Sequence, residues 1–248
     1  MSTLIGRKIL ITGVSSGIGK ATAYYLAERG ASIVGVDMNT EGLSLLKSDF
    51  EAKGYSIICV EENLQNENLE DIFIRATLDG SKLNGLVHCA GISSIVPIAS
   101  LDKLKLHKVM DINFYSFVEL CRQYSKKKYS DCGSIVGISS LAAEMPRAYE
   151  LAYITSKAAM NAAIPCLAIE LAAKRIRVNG IMPGVVKTSM IKEQQSEEQK
   201  KFIEKMEQKT LLGAALPEEI SSVVSFLLGD DSKMITGRVI SVDGGMFL

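Results

Sequence analysis

The stretch Lys8-Ile-Leu-Ile-Thr-Gly-Val-Ser-Ser-Gly-Ile-Gly19 decides the fold. Its opening, Lys8 to Thr12, is an apolar run too short for a helix and bounded by glycine, the pattern of a buried strand. Glycines follow at 13, 17 and 19, and Ala21 to Arg29 then reads as a helix closed by Gly30. One glycine permits the tight turn, another lets the main chain approach a pyrophosphate, and another lets helix pack on strand. Gly13, Ser15, Ser16, Gly17, Ile18 and Gly19 thus form a candidate phosphate loop, with free N–H groups and a positive dipole at the helix start. A second apolar run, Ser32 to Val36, ends at Asp37, 20 residues beyond Gly17. A carboxylate there holds adenosine ribose hydroxyls. It also repels a 2′-phosphate, the next residue is Met38 rather than arginine, and Ser16 adds no charge. NAD(H) is therefore expected in preference to NADP(H), with Lys20 and Asn39 as the nearest counterweights.

The same alternation continues outward. Further strands are expected at Ser56 to Val60, Gly85 to Cys89, Ser134 to Ser139, Arg177 to Met182 and Arg238 to Val242. Helices are expected at Thr40 to Lys53, Glu67 to Leu78, within Leu101 to Lys128, at Ala152 to Lys174, and at Pro217 to Leu228. Short uninterrupted apolar strands alternating with helices imply parallel strands buried on both faces. Right-handed crossovers then give an α/β fold of Rossmann type: a doubly wound, seven-stranded parallel sheet with helices on both faces. No composition break divides the chain, so residues 1–248 are expected to form one domain that binds dinucleotide and carries out catalysis. Its least regular part, Thr188 to Ala215, is charged and helix-prone over Ser196 to Lys209, and follows a strand end. It is the expected substrate lid.

Composition narrows the function. The 248 residues carry 28 Lys and Arg against 28 Asp and Glu, a net charge of zero. That balance has no footprint for nucleic acid or an anionic membrane. The five cysteines form no CxxC, and the two histidines, His88 and His107, lie far apart. Metal, disulfide and Ser-His-Asp chemistry are all poorly supplied, and no metal is expected. Reduced thiols, a start too mixed for a signal peptide, and no apolar run of about 20 residues lead to the expectation of a cytoplasmic protein.

Tyr153 and Lys157 are spaced i, i+4 at the start of a long helix and so share a face. Tyrosine ordinarily titrates near 10. A neighbouring ammonium and a bound nicotinamide cation would lower that value and make the phenol an acid or base near neutrality. Ser140 lies 13 residues earlier, at the end of the fifth strand, and Asn113 lies in the preceding long helix. Side chains at the C-terminal ends of parallel strands converge on a ligand crevice.

With these residues assembled, the sequence resembles the short-chain dehydrogenase/reductase family in its single-domain form. The resemblance is carried in order by Thr12–Gly19, His88–Gly91, Asn113, Ser140, Tyr153–Lys157 and Pro183–Thr188, and it spans essentially the whole chain. Among family members the chain looks most like the 3-oxoacyl-carrier-protein reductases. NAD preference sits awkwardly there, and hydroxysteroid, diol and sugar-alcohol dehydrogenases stay open.

The resemblance implies an oxidoreductase that interconverts a secondary alcohol and a ketone. Tyr153 would be the acid–base group, Lys157 would bind the nicotinamide ribose, Ser140 would hold the substrate oxygen, and Asn113 would position a water in a proton relay. Asn63, Leu64, Ala90, Gly91, Pro183, Gly184, Val186 and Thr188 would join Tyr153, Lys157 and the phosphate loop around the cofactor. Met145, Pro146, Tyr149, Met190, Ile191 and Met206 would line a partly apolar substrate site. The substrate would be a small molecule or an acyl thioester. If it rode on an acidic carrier protein, Lys126–Lys128 and Arg175 would steer the carrier. A homotetramer or homodimer would form through Leu101–Lys128 and Ala152–Lys174. The contrasting reading is a dinucleotide-binding sensor or assembly protein without turnover. Three departures stand out. His88-Cys89 replaces the usual Asn-Asn, Asn63 replaces an acid, and Pro165 lies inside the catalytic helix, where it would produce a kink.

Overall fold

A computed structural model describes residues 4–188 and 205–246. Seven parallel strands form one sheet: β1 (Lys8–Thr12), β2 (Ser32–Asp37), β3 (Ile57–Glu61), β4 (Gly85–His88), β5 (Gly133–Ile138), β6 (Ile176–Pro183) and β7 (Val239–Val242). Their order is β3-β2-β1-β4-β5-β6-β7. β1 pairs with β2 on one side and β4 on the other. The chain therefore winds outward from β1 in both directions, and the crevice where the direction reverses opens above the C-terminal ends of β1 and β4. This is the sheet expected from the sequence.

The helices are α1 (Gly17–Ala27), α2 (Thr40–Ala52), α3 (Glu70–Ala76), α4 (Lys103–Met110), α5 (Ser116–Tyr124), α6 (Leu151–Leu171) and α7 (Pro217–Leu228). They cover both faces because strand side chains alternate. Leu10, Val34, Leu86 and Ile135 pack with Phe73, Phe117, Tyr124 and Ile164 on one face. Ile9, Ile11, Ile33, Val87 and Val136 pack with Leu26, Leu46, Phe50 and Val224 on the other. Every residue of β1 is buried, the lysine included. Lys8 Nζ reaches Asp79 at 2.9 Å and Ser81 at 2.8 Å, so its charge is paired rather than stranded.

Three sequence expectations are corrected here. α1 begins at Gly17, not Ala21, because the glycine turn runs directly into the helix. Glycine's poor helix propensity hid its first turn. The expected helix over Leu101–Lys128 is interrupted: a π turn, Asp111–Tyr115, separates α4 from α5 and holds the buried Asn113 at its centre. One inserted residue of this kind leaves the apolar spacing outside nearly intact, so periodicity does not reveal it. The third correction concerns Lys126–Lys128 and Arg175. They precede β5 and β6 and so sit at the N-terminal edge of the sheet, away from Ser140. Lys126 and Lys128 are also tied to Glu70, at 2.9 and 2.8 Å. They do not form a basic rim beside the crevice.

Pro165 lies in the middle of α6, which continues through it to Leu171. Most of the expected lid, residues 189–204 with Met190 and Ile191, lies outside the described residues. Residues 205–209 are helical. The flanks of the segment meet in a parallel bridge between Val186 and Ala215. Among the described residues, no helix is long and apolar enough to cross a membrane.

Candidate active site

A cavity of about 280 Å³ lies over the C-terminal ends of β1, β2 and β4. Its floor is the glycine turn. Gly13 has φ +73°, and a Cβ there would come within 2.9 Å of the Ala90 nitrogen. A Cβ on Gly19 would overlap the Gly13 carbonyl. Positions 13 and 19 are therefore closed to any side chain, and there the main chain itself forms the wall. Ser16 is the N-cap of α1, but its side chain accepts no hydrogen bond from the helix. The first-turn N–H groups stay available beside the cavity, which suits a pyrophosphate. The far wall is Asp37. Its Oδ2 accepts from Ser15 N–H at 3.0 Å and Ser15 hydroxyl at 2.7 Å, and its Oδ1 accepts from Asn39 N–H at 3.0 Å.

Of the residues expected around a cofactor, this cavity gathers the whole loop Gly13–Gly19 apart from Val14, with Asp37, Asn63, Leu64, Ala90, Gly91 and Thr188. Pro183 and Gly184 line a second cavity instead. Val186 is buried in its bridge to Ala215. Sequence reasoning missed Glu62, which lines the first cavity and accepts from Asn63 N–H at 3.0 Å and Asn66 at 2.6 Å. A carboxylate therefore stands beside Asn63 in the cavity wall, one residue earlier. Cys89 and Ile112 also line this cavity. These residues fit a dinucleotide: an open helix start, a wall without side chains, and a carboxylate one strand away.

The second cavity, also about 280 Å³, is lined by Ser140, Met145, Pro146, Pro183, Met206 and Met246, with Arg147 and Lys209. Tyr149, expected among them, does not line it. It stands in the left-handed region at φ +69° and is 59% exposed.

Ser140 lines the second cavity, whereas Tyr153 and Lys157, both expected around the cofactor, line neither of the two. Ser140 caps the short helix Leu141–Ala143 through Ala142 N–H at 3.2 Å, and its hydroxyl also hydrogen-bonds Tyr153. The neighbouring Ser139 hydroxyl is turned away to donate to the Lys157 carbonyl at 3.3 Å. Lys157 follows Tyr153 by one helical turn, with Nζ 6.0 Å from the centre of the Tyr153 ring. Nζ donates to the Ile138 carbonyl at 2.7 Å. Burial is the main cause that pulls its pKa down to about 8. A Cβ on Gly91 would stand 3.3 Å from Nζ and 3.3 Å from Asn113 Oδ1. The absence of a side chain at 91 thus keeps both groups beside the first cavity.

Two sequence expectations change at this centre. Burial raises the Tyr153 pKa in the protein itself; the Ser140 hydrogen bond opposes the rise first and the Arg147 charge second. The expected lowering by Lys157 does not prevail, because the ammonium is turned toward the Ile138 carbonyl. Asn113 does not point its amide at solvent. Its Oδ1 accepts from Ile92 N–H at 2.8 Å, while Nδ2 donates to the Ile92 carbonyl at 3.0 Å and to Ser156 at 2.9 Å. The side chain pairs with a peptide group and clamps the loop after β4. Beneath it His88 is fully buried, with Nδ1 3.0 Å from the Thr12 hydroxyl, and burial lowers its pKa to about 3. It stays neutral at physiological pH.

Known proteins share this architecture. The family model described as enoyl-(acyl carrier protein) reductase matches residues 13–247. An L-xylulose reductase of Caenorhabditis elegans is 32% identical over 244 residues, covering 96% of this chain and 95% of that protein. A 3-oxoacyl-[acyl-carrier-protein] reductase of Thermotoga maritima is 29% identical, covering 99% of both. The solved structure of a 7α-hydroxysteroid dehydrogenase, in complex with NADH and 7-oxo glycochenodeoxycholic acid, superposes with a TM-score of 0.92 at 28% identity, over 98% of this chain and 95% of that one. With the glycine turn, the Ser140–Tyr153–Lys157 cluster and a match across nearly the whole length, the chain belongs to the short-chain dehydrogenase/reductase family and is an NAD(P)-dependent oxidoreductase.

Proposed function

We propose that this enzyme interconverts a secondary alcohol and a ketone on a small, partly apolar substrate, with NAD(H) preferred over NADP(H), and that residues 1–248 act as one catalytic unit. The observation that carries the reading is Ser140 at the wall of the second cavity with Tyr153 against it, and Lys157 Nζ close behind Gly91 at the edge of the first.

The bound nicotinamide supplies or accepts the hydride. The chain supplies orientation and a proton. Ser140 donates a hydrogen bond to the substrate oxygen, and the Tyr153 hydroxyl gives that oxygen a proton in reduction or takes one in oxidation. A bound nicotinamide cation would favour the phenolate, and Lys157, one turn away, would hold the nicotinamide ribose. With a pKa brought down to about 8, it can also release and regain a proton near neutrality. Asn113 keeps the loop after β4 and the π turn in register. It acts on Lys157 and the cofactor wall through position, not through its own side-chain chemistry.

The cofactor preference rests on charge. The first cavity is lined by Asp37 and Glu62 and, among the described residues, by no lysine or arginine. A 2′-phosphate would meet two carboxylates and no cation. The apolar outer face of α6, with Leu151 and Ile169 exposed, supports a homodimer or homotetramer. Lys126 and Lys128 are paired with Glu70 away from the crevice, so the basic rim that would have steered an acidic carrier protein does not support one as partner. Hydride transfer followed by nicotinamide absorbance, across a panel of ketones and secondary alcohols with each cofactor, tests the whole reading. Absence of turnover on every member, with NADH bound, would overturn it in favour of a sensor.

A further inference from the structure

The two cavities differ in charge. The first is walled by Asp37 and Glu62 and, among the described residues, by no cation. The second is lined by Arg147 and Lys209 and, among the described residues, by no carboxylate. The rest of its wall is mainly apolar, with Met145, Met206 and Met246. Arg147 already holds Glu150 at 2.7 Å and is not counted as a charge open to a ligand. Lys209 is exposed, and among the described residues no carboxylate stands within ion-pair distance of it.

The chain fixes the position of Lys209 at this wall. Residues 205–209 form a helical turn. Met206 and Lys209 are three apart, so they share a face, and both line the cavity. Thr210 closes the turn, its hydroxyl donating to the Met206 carbonyl at 3.0 Å. The segment beyond is seated on the turn after β7, where Leu212 N–H donates to the Gly244 carbonyl at 3.0 Å. Gly244 has φ +62°, and a Cβ there would lie 2.6 Å from the Thr210 methyl, so this seat requires glycine. Farther on, Ala215 N–H donates to the Val185 carbonyl at 2.9 Å, and the Ala215 carbonyl accepts from Lys187 N–H at 2.9 Å. Lys209 is thus carried by a segment stitched to the C-terminal ends of β6 and β7.

We propose that Lys209 determines the specificity of the second cavity, and that the substrate bears a carboxylate remote from its reacting carbonyl: an oxo acid in reduction, the matching hydroxy acid in oxidation. The inference deepens the reading above and rests on it for the placement of the reacting oxygen at Ser140. In a mostly apolar pocket a few placed polar groups orient the ligand. Ser140 takes the carbonyl oxygen, Lys209 takes the carboxylate, and the adaptable methionine side chains take the carbon chain. The carboxylate exchanges no electrons or protons; hydride and proton move at the carbonyl as before. The ammonium gives the acid a charge-assisted hydrogen bond. The methyl ester of the same acid keeps the carbonyl and the chain but loses that bond.

The probes are levulinate and its next two longer homologues, each compared with its methyl ester. Ligand-observed NMR on the full chain with NAD⁺ bound, where reduction cannot occur, measures the ratio of acid to ester affinity. At least one acid should bind about tenfold more tightly than its ester, the scale of a hydrogen bond to a charged group. Lys209→Gln should erase that ratio, Lys209→Glu should invert it, and Lys209→Arg should keep it. Added salt should lower it in the parent protein. Equal affinities for acid and ester, no binding of any acid, or a preference for acid that survives in Lys209→Glu each overturn the proposal. Turnover of the same compounds with NADH separates the two failures. Neutral ketones reduced without any preference for acids leave the acid–base reading standing and remove the anion subsite. Acids bound through Lys209 but never reduced leave the subsite and remove the acid–base reading.

Discussion

Ser15 donates twice to one oxygen of Asp37, from its N–H at 3.0 Å and its hydroxyl at 2.7 Å. The residue expected to recognise the ribose therefore also anchors the loop expected to hold the pyrophosphate. Recognition of the adenosine and shape of the phosphate site are coupled through one carboxylate.

This coupling separates two variants. Asp37→Ala removes the ribose acceptor, the negative charge and the loop anchor together. NADH affinity should fall by at least about tenfold, the scale of a hydrogen bond to a charged group. NADPH affinity should hold or improve, because the repulsion is gone. Ser15→Ala removes only the hydroxyl half of the anchor and should weaken both cofactors alike. Fluorescence titration with each nucleotide decides it. Tighter binding of NADPH than NADH by the parent protein would contradict the assignment.

Tyr153→Phe keeps the ring and removes the exchangeable proton. Turnover should drop by the roughly 10²–10⁴-fold attributed to positioned acid–base catalysis, with NADH affinity nearly unchanged. The two adjacent serines provide an internal control. Ser140→Ala should lose turnover, since its hydroxyl meets the phenol. Ser139→Ala should lose little, since its hydroxyl is committed to the Lys157 carbonyl. Steady-state rates on any substrate found by the panel measure both. Equal losses in the two serine variants would reject the geometry.

The architecture was legible because each strand is a short apolar run ended by glycine or acid, a signal that survives without neighbours. The helix boundaries near the cofactor were less legible for a physical reason. Gly17 and Gly19 are poor helix formers placed in a helix, because the phosphate site needs bare main chain. Asn113 was found by its motif, but its π turn and its pairing with Ile92 depend on tertiary contacts that local spacing does not encode. The sign of the Tyr153 shift was missed because sequence shows a lysine one turn away but neither the depth of burial nor the Ile138 carbonyl that claims the ammonium.

Assembly gives a third prediction. α6 is apolar on nearly every side, and its outer face leaves Ile169 79% exposed and Leu151 50% exposed. Large apolar side chains on an otherwise covered helix mark an interface. The protein should be a dimer or tetramer, and Ile169→Lys should dissociate it without unfolding the subunit, since that side chain supports nothing inside the chain. Light scattering checks both statements. A parent protein of 26.9 kDa at micromolar concentration would reject the interface.

Lys157 carries the last prediction, because its burial links stability to pH. Its pKa of about 8 in the fold lies below the ordinary 10.5. Below pH 8 the lysine is charged whether folded or unfolded, and the full cost of burying the charge is present. Between pH 8 and 10.5 the folded form is neutral while the unfolded form still binds a proton, so stability rises with pH. Above 10.5 nothing further changes. A depression of this size corresponds to roughly 3 kcal/mol. Lys157→Met removes the titrating group and keeps most of the volume. It also leaves the Ile138 carbonyl without its donor, a loss of about 1–3 kcal/mol that is independent of pH. The stability of Lys157→Met relative to the parent should therefore be most favourable at pH 7 and decline by roughly 3 kcal/mol toward pH 10.5. Denaturant unfolding of both proteins across that range measures the difference, and titrations common to both cancel. A difference that does not change with pH would show that Lys157 is not strained by its burial. Turnover in the same variant should be lost at every pH, which identifies the buried charge as a group retained for catalysis at the expense of stability.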